Sequence, residues 1–544
     1  MPRFRIPMCL LLCVWLAGLS LADGSTQFPD VLGEDIARFH AFLKSLAPQV
    51  RVDGVQGARF LRAFEFESQL MDLLKDKDPM IRRETVQALA ECGTEKSVPL
   101  LIERLDDPDW QVQEHALRAL RLMTGQSSLG PKKAEWEAWW KASAIEEKQK
   151  RLFDDLSGAD AEKHAAAARA MRCMATPPCE DALLKLLAES KSLKGEERKA
   201  LVEALDRVGG EKSLPYFLQQ ASVGNPAAAW AVGRRGGKEA EEALLKGFRR
   251  NRSLDFMLNL DRVKTTKCGE FLAPLCRNFH TVIRQGMGEE MRYPPSPLRR
   301  VSANLIRRSG QAPMVVGLVL ADMEGKPNDA AIPKELKPLF DDLREILKPE
   351  FIREGFGGCD PMLGAFYDLA DDKALVPRLI PLLRSNILLV RIYSGMTLGK
   401  LKVPEAVGPI LAVVKEGYAF PDCTSPVSAK HTGEFREVDG KKQRQAQTVR
   451  WLGYLCDALG HIGTEDARKA LEALATDPNA PRDVRYGSVV GLGHTASTQS
   501  LPALEKVAQE DIIWLNRDIA RRTAEDIRIA NSANGKETDV TSVQ

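Results

Sequence analysis

The chain has 544 residues, is 44% hydrophobic and 28% charged, and carries a formal net charge of +2. This is ordinary globular material, long enough for two or three domains or for one long repeat array. So even a balance of charge argues against nucleic acid as the main partner, because phosphate binding needs a net basic surface or stripe.

At the start, Met-Pro-Arg-Phe-Arg leads into an apolar run from Ile6 to Ala22, with Ser20-Leu21-Ala22 just before Asp23. A basic start, a short apolar core and small residues ahead of a cut predict a secretory signal over 1–22, removed after Ala22. The run is at the short limit for a membrane span, so an uncleaved anchor is the alternative. No later segment is apolar enough to span. The chain is therefore expected to be exported, periplasmic or secreted. Removing residues 1–22 removes Arg3 and Arg5 and no acid, which leaves a net charge of zero.

Residues 23–65 are predicted as a leading helical segment, with Ile36, Phe39, Phe42, Leu43 and Leu46 at helical spacing. A first repeat block is predicted over 66–156. Ile81-Arg82 … Ala88-Leu89 … Gly93 returns as Val112-Gln113 … Ala119-Leu120 … Gly125. Near the other end it returns as Val390-Arg391 … Leu398-Gly399 and Val484-Arg485 … Leu492-Gly493. A small residue follows each branched one by a helical turn: Thr85, Ala116, Ser394 and Ser488. It is expected on the buried stripe, where it lets neighbouring helices stack tightly. Asp78-Pro79, Asp107-Pro108, Asn225-Pro226, Asp360-Pro361 and Asp477-Pro478 read as helix starts, with the acid or amide as N-cap and Pro in the first turn. Gly93, Gly210, Gly399 and Gly463 stand where helices must stop and are expected in the left-handed conformation. Ser97-Val-Pro99, Ser213-Leu-Pro215, Leu375-Val-Pro377 and Ser500-Leu-Pro502 each open another apolar helix.

Trp136, Trp139 and Trp140 share one helical face after the second unit. They predict a helix that closes the first block, or alternatively an aromatic platform for sugars. Residues 157–260 hold degenerate helix pairs, and over 261–360 the period blurs. A clear array resumes over 361–530, interrupted by a long inserted loop at 417–447, and 531–544 is expected to be a disordered tail. A period of roughly 30–33 residues with two helices per unit predicts an all-α solenoid, an α-α superhelix of stacked antiparallel helix pairs.

The units around 66–126 and 361–530 resemble HEAT repeats, particularly the HEAT-like class first described in phycobilisome lyases. The resemblance rests on Val484-Arg485 … Gly491-Leu492-Gly493 … Ser500-Leu501-Pro502-Ala503-Leu504, on Ala458-Leu459-Gly460 … Gly463-Thr464-Glu465-Asp466-Ala467, and on Ile81-Arg82 … Gly93-Thr94-Glu95 … Val98-Pro99. It is specific for fold and says almost nothing about activity. Exported bacterial HEAT-repeat proteins with a Trp-x-x-Trp-Trp segment are similar. The lyase activity is not carried over, since no chromophore-handling motif matches.

The sequence holds no nucleophile elbow, phosphate loop or zinc-type cysteine spacing, so no enzyme, cofactor or metal is expected. His461 and His494 each follow Leu-Gly at equivalent repeat turns. Helix packing predicts about 10 Å between such turns, too far for one metal without a ligand between them. Cys173 with Cys179, and Cys268 with Cys276, lie close enough in sequence to form disulfides, while Cys92 and Cys456 are read as core residues. The expected role is protein or peptide binding on a concave face. Arg292, Arg299, Arg300, Arg307 and Arg308, with Asp422, His431 and Glu434 of the 417–447 loop, are the candidate contacts. The alternatives are a pocket built by 261–360 and that loop, serving an enzyme or its accessory, and carbohydrate binding in the cell envelope. Oligomeric state is open.

Overall fold

A computed structural model describes residues 30–281, 297–348, 360–416, 437–438, 441–442 and 450–539, apart from short gaps at 46–47, 62–63, 159, 190–192 and 194. It is all-α in architecture. The strands among the described residues form one two-stranded ladder inside the 417–447 insertion, with Glu437 opposite Lys442 and Val438 opposite Lys441. The chain divides into two compact units that meet in sequence between Thr265 and Thr266.

The N-terminal unit runs through α1 (Val31–Leu43), α2 (Pro48–Leu61), α3 (Glu67–Leu73), α4 (Pro79–Cys92), α5 (Val98–Glu103), α6 (Trp110–Thr124), α7 (Lys133–Lys141) and α8 (Ile145–Ser157). It continues with α9 (Ala161–Met174), α10 (Glu180–Glu189), α11 (Gly195–Val208), α12 (Leu214–Ser222), α13 (Pro226–Arg235), α14 (Lys238–Arg250) and α15 (Leu254–Arg262). The second helix of each pair packs on the second helix of the next: α2 on α4, then α6, α9, α11, α13 and α15. The row then closes. Helix α15 packs on α1, and α1 on α2, so eight helices form an inner ring. The Val31 amide donates to Asp261 Oδ2 at 2.7 Å across that closure.

The C-terminal unit holds α16 (Leu272–Arg277), α17 (Pro297–Arg308), α18 (Ala312–Met323), α19 (Lys337–Ile346), α20 (Pro361–Leu369), α21 (Val376–Leu382) and α22 (Leu388–Lys400). After them come α23 (Val407–Glu416), α24 (Arg450–Ile462), α25 (Glu465–Thr476), α26 (Arg482–Thr495), α27 (Leu501–Glu510) and α28 (Trp514–Asp539). Its regular stack is α20, α22, α24, α26 and α28. Helix α28 reaches Asp539, into the stretch expected to be a disordered tail.

The repeat signature has a physical content. Thr85, Ala116, Ser394 and Ser488 are fully buried, as their spacing requires. The arginine at the start of a second helix is a strut. Arg82 donates to a carbonyl of its own preceding turn, Asp76 O at 2.8 Å, and through two nitrogens to Asp107 of the next repeat, at 2.7 and 2.9 Å. Arg485 does the same with Ala480 O and Asp511, and Arg51 with Ser45 O and Asp76. The serine of Ser-x-Pro is a second strut. Ser97, Ser213 and Ser500 donate to Glu67, Glu180 and Glu472 of the preceding repeat at 2.6–2.8 Å.

Three of the five expected acid or amide caps hold: Asp78, Asn225 and Asp360. Asp107 does not cap, because its carboxylate is taken by Arg82 and the Asp109 amide, and Asp109 caps α6 instead. Asp477 accepts from the Asn479 amide and ends α25 rather than starting a helix. Of the four stop glycines only Gly463 has a positive φ, at 70°. Gly93 and Gly399 are there for space: a Cβ would meet Leu89 O at 2.5 Å and the Ala458 backbone at 2.7 Å.

Candidate functional site

Two places gather side chains that the repeat architecture alone does not require. The first is the inner face of the N-terminal ring. A cavity of about 490 Å³ is bordered by the second helices α2, α4, α6 and α9, with Gly125 and Ser127 after α6. Arg59, Arg118, Arg121, Arg169 and His115 line it against a single acid, Glu91. Glu91 is itself held by Arg172 at 3.1 Å. Arg59 donates to Gln87 and Arg121 to the Leu129 carbonyl, whereas Arg118 and Arg169 have no hydrogen bond or ion pair among the described residues. Burial, then the Arg83 charge, lowers the pKa of His115, which favours its neutral form. Four guanidiniums thus face one already neutralised carboxylate.

A second cavity, about 840 Å³, adjoins the first at Glu91 and is bordered by α2, α4, α9, α11, α13 and α15. Its lining mixes charges with Phe60, Phe64 and Trp230, and Phe60 is 73% exposed. Arg207 donates to Arg172 O, Cys173 O and Ala175 O, lies 5.4 Å over the Phe64 ring and approaches Glu95 at 3.7 Å. Arg172 meanwhile reaches Ala90 O at 3.1 Å, spanning from α9 to α4 past α6. Such a contact across a skipped helix requires strong curvature.

The second place is the last turns of α24 and α26. Asp457 and His461 lie one turn apart on α24, and His494 comes from α26. The two imidazoles stack with centroids 4.0 Å apart and planes at 23°. His494 Nε2 lies 2.8 Å from Asp457 Oδ1, and His461 Nε2 3.6 Å from Oδ2. The expected repeat separation of about 10 Å is therefore overturned, and a ligand-type residue does stand between the histidines. The cause is glycine. A Cβ at Gly460 would lie 2.3 Å from Gly491 O, and one at Gly487 2.5 Å from Gly453 Cα, so α24 and α26 meet backbone to backbone. Burial pushes the Asp457 carboxyl up, but the two histidine charges outweigh it and hold the group below the usual carboxylate range. Burial lowers His461 while Asp457 raises it, and the net shift is upward. Asp457-Ala-Leu-Gly-His461 is an i, i+4 acid–imidazole spacing, the one signal in the sequence that points to this cluster.

The arginine cluster reads differently in the structure. Arg299 is buried and paired with Asp368, and Arg307 donates to Asp371 Oδ2 at 2.6 and 2.9 Å. These two cross-link α17 to α20 and the turn after it, and are not a free contact patch. Arg300 and Arg308 are half-buried. Arg292, Asp422, His431 and Glu434 lie outside the described residues, as does the 1–22 segment. Cys173, Cys179, Cys268 and Cys276 are buried thiols, and neither expected disulfide forms. Burial, the largest influence, pushes the Cys173 and Cys276 thiols up. Short sequence spacing does not make a bridge when each sulfur faces into the core. Cys92 and Cys456 are buried as expected. The aromatic platform is overturned too. Trp136 is fully buried with its indole N–H on Gly130 O, the Trp136 and Trp139 planes stand at 80°, and Lys148 sits over Trp139 and Trp140.

Comparison with known proteins then decides what the repeats are. The HEAT repeats family model matches residues 37–128 and 445–525, one stretch in each unit. Those two stretches are HEAT repeats. No curated protein sequence matches it. Among solved structures, it is similar to importin β, at 11% identity over 92% of this chain and 81% of that one, with a TM-score of 0.26. It is similar also to a chain from the complex of Kap95p with RanGDP, at 11% identity over 96% and 82%, with a TM-score of 0.27. A third is a chain from work on a phosphorylation switch between cadherin and β-catenin, at 12% identity over 90% and 100%, with a TM-score of 0.21. At these scores the global superposition is loose, and nothing about partners follows from it.

Proposed function

We propose that this HEAT-repeat chain is a non-enzymatic interaction scaffold that works outside the cytoplasm. On this reading the concave inner face of its N-terminal array takes up an acidic segment of a protein partner. The observation that carries the reading is the cavity in which Arg59, Arg118, Arg121 and Arg169 oppose only Glu91. Arginine is suited to this because its planar fork binds carboxylates through two parallel hydrogen bonds. The adjoining cavity, with exposed Phe60 and half-buried Trp230, adds apolar anchorage of the kind that concentrates binding energy. Export is supported by the basic start at Arg3 and Arg5 and the apolar run to Ala22. Among the described residues no helix is long and apolar enough to cross a membrane.

The test is fluorescence anisotropy with labelled peptides of alternating Glu and Leu, beside Lys–Leu and Ser–Leu controls. The acidic peptide is expected to bind, and to weaken as salt rises, since exposed charges are screened over about 10 Å at 0.1 M. Arg118→Glu with Arg169→Glu is expected to reduce binding at least tenfold at unchanged Tm. Equal binding of all three peptides, or indifference to the charge reversal, would reject the site.

A further inference from the structure

We propose that Asp457, His461 and His494 form a binding site for a divalent transition-metal ion of the zinc class, in the C-terminal unit and independent of the inner-face reading above. The three residues offer two imidazole nitrogens and a carboxylate oxygen, all within 4.8 Å of one another. Bonds of about 2.1 Å to such ligands place neighbouring ligand atoms about 3.4 Å apart around a tetrahedral ion and about 3.0 Å apart around an octahedral one. The 3.6 Å and 2.8 Å separations of His461 Nε2 and His494 Nε2 from the Asp457 oxygens bracket those values. Coordination therefore asks for small rotations of side chains that are already converged.

The site is also built rather than accidental. Glycine contacts at Gly460–Gly491 and Gly453–Gly487 fix how far the two helices stand apart. Asp457 and His494 side chains are 13% and 12% exposed, while that of His461 is 37% exposed. One side of the cluster is thus walled and the other open to a water ligand, the pattern of a three-ligand site. Imidazole with carboxylate suits zinc, cobalt and nickel better than magnesium or calcium, which prefer all-oxygen shells. Two further titratable groups act on the cluster. The Lys402 charge acts on His461, and the half-buried Tyr367 feels the charge of Asp457. Neither supplies a competing carboxylate. A bound ion would tie the last turns of two successive repeats together.

The experiment titrates Co²⁺, then Zn²⁺, into the full metal-stripped chain. One equivalent of Co²⁺ is expected to give the visible absorption of a low-coordinate cobalt centre, bleached by Zn²⁺, and Zn²⁺ alone is expected to raise Tm. His461→Gln and His494→Gln are each expected to weaken Co²⁺ binding at least about tenfold, by analogy with the loss of a supporting partner. Stoichiometric binding that survives the double variant would overturn the assignment, as would absence of binding to the wild-type chain. Should the variants fail to fold, diethyl pyrocarbonate footprinting of the wild-type chain decides: Zn²⁺ is expected to protect His461 and not His115, and equal protection of both would reject the site.

Discussion

Arg82 shows how one side chain carries a repeat interface. Its partner Asp107 has a side chain with no exposure, and their two hydrogen bonds join consecutive repeats. Removing one member of a buried pair costs about 3–5 kcal/mol when the other charge is left uncompensated; here Arg104 at 3.2 Å and the Asp109 amide still hold Asp107, so the cost is expected at the lower end of that range. Arg82→Ala is therefore expected to lower the denaturant midpoint strongly. Arg82→Lys should recover only part, because an ammonium cannot reproduce the two-nitrogen contact. Chemical denaturation of the two variants checks both statements. Asp53 makes the opposite case. It is buried in α2, its Oδ2 has no partner, and burial raises its pKa from 3.8 to about 7 against a weaker lowering by Gln49. Between those values the folded chain holds a proton the unfolded chain has released, so stability falls as pH rises through that window. Asp53→Asn is expected to be neutral below pH 4 and stabilising by a few kcal/mol above pH 7. A Tm difference that does not change with pH would contradict this. Of these roles, the sequence displayed Arg82 and Arg485 as a repeated motif, but their carboxylate partners only the fold identifies.

Between elements, what decides is how close two helices come. Helix α24 carries Gly453 and Gly460, and α26 carries Gly487 and Gly491, each facing the other's backbone. Alanine is the better helix former by about 1 kcal/mol. At Gly460, however, its Cβ would lie 2.3 Å from Gly491 O, and backbone cannot yield as a flexible side chain can. Gly460→Ala is thus expected to destabilise by about 1–3 kcal/mol despite its helix propensity. It should also unstack the His461 and His494 rings, which histidine NMR shifts report. Stabilisation by this change would show that the close packing is wrong. The element scale is also where sequence reading failed most plainly. The sequence suggests an ordinary packing distance between equivalent turns, and Gly460 and Gly491 stand in the repeat motif without showing that they shorten it. The arginines 299 and 307 failed likewise, because helical spacing shows that they share a face but not that α20 brings Asp368 and Asp371 to meet it.

At the scale of the molecule, the N-terminal unit is a closed ring, and closure makes its two ends depend on each other. Helix α1 packs on both α2 and α15, with Val31 and Asp261 joined across the seam. A chain lacking α1 is expected to lose amide hydrogen-exchange protection in α15 as well as in α2, while α6 keeps its own. In an open array only the neighbour α2 would respond. Protection of α15 unchanged by the deletion would rule out the ring.

What the sequence determined by itself is the local grammar. It set the helix pairs, their period of roughly 30–33 residues, the buried small residues at Thr85, Ala116, Ser394 and Ser488, and the HEAT character of both units. All of these follow from side-chain spacing within a single repeat, which a linear chain displays directly. Tertiary structure alone decided the rest: that the first array curls until α15 meets α1, that Arg118 and Arg169 turn inward together, and that Asp457 comes to lie between two histidines. Those outcomes depend on the distance and angle between successive repeats. Small rotations set by a glycine contact or a buried ion pair add up over many helices, and no single repeat's sequence records their sum.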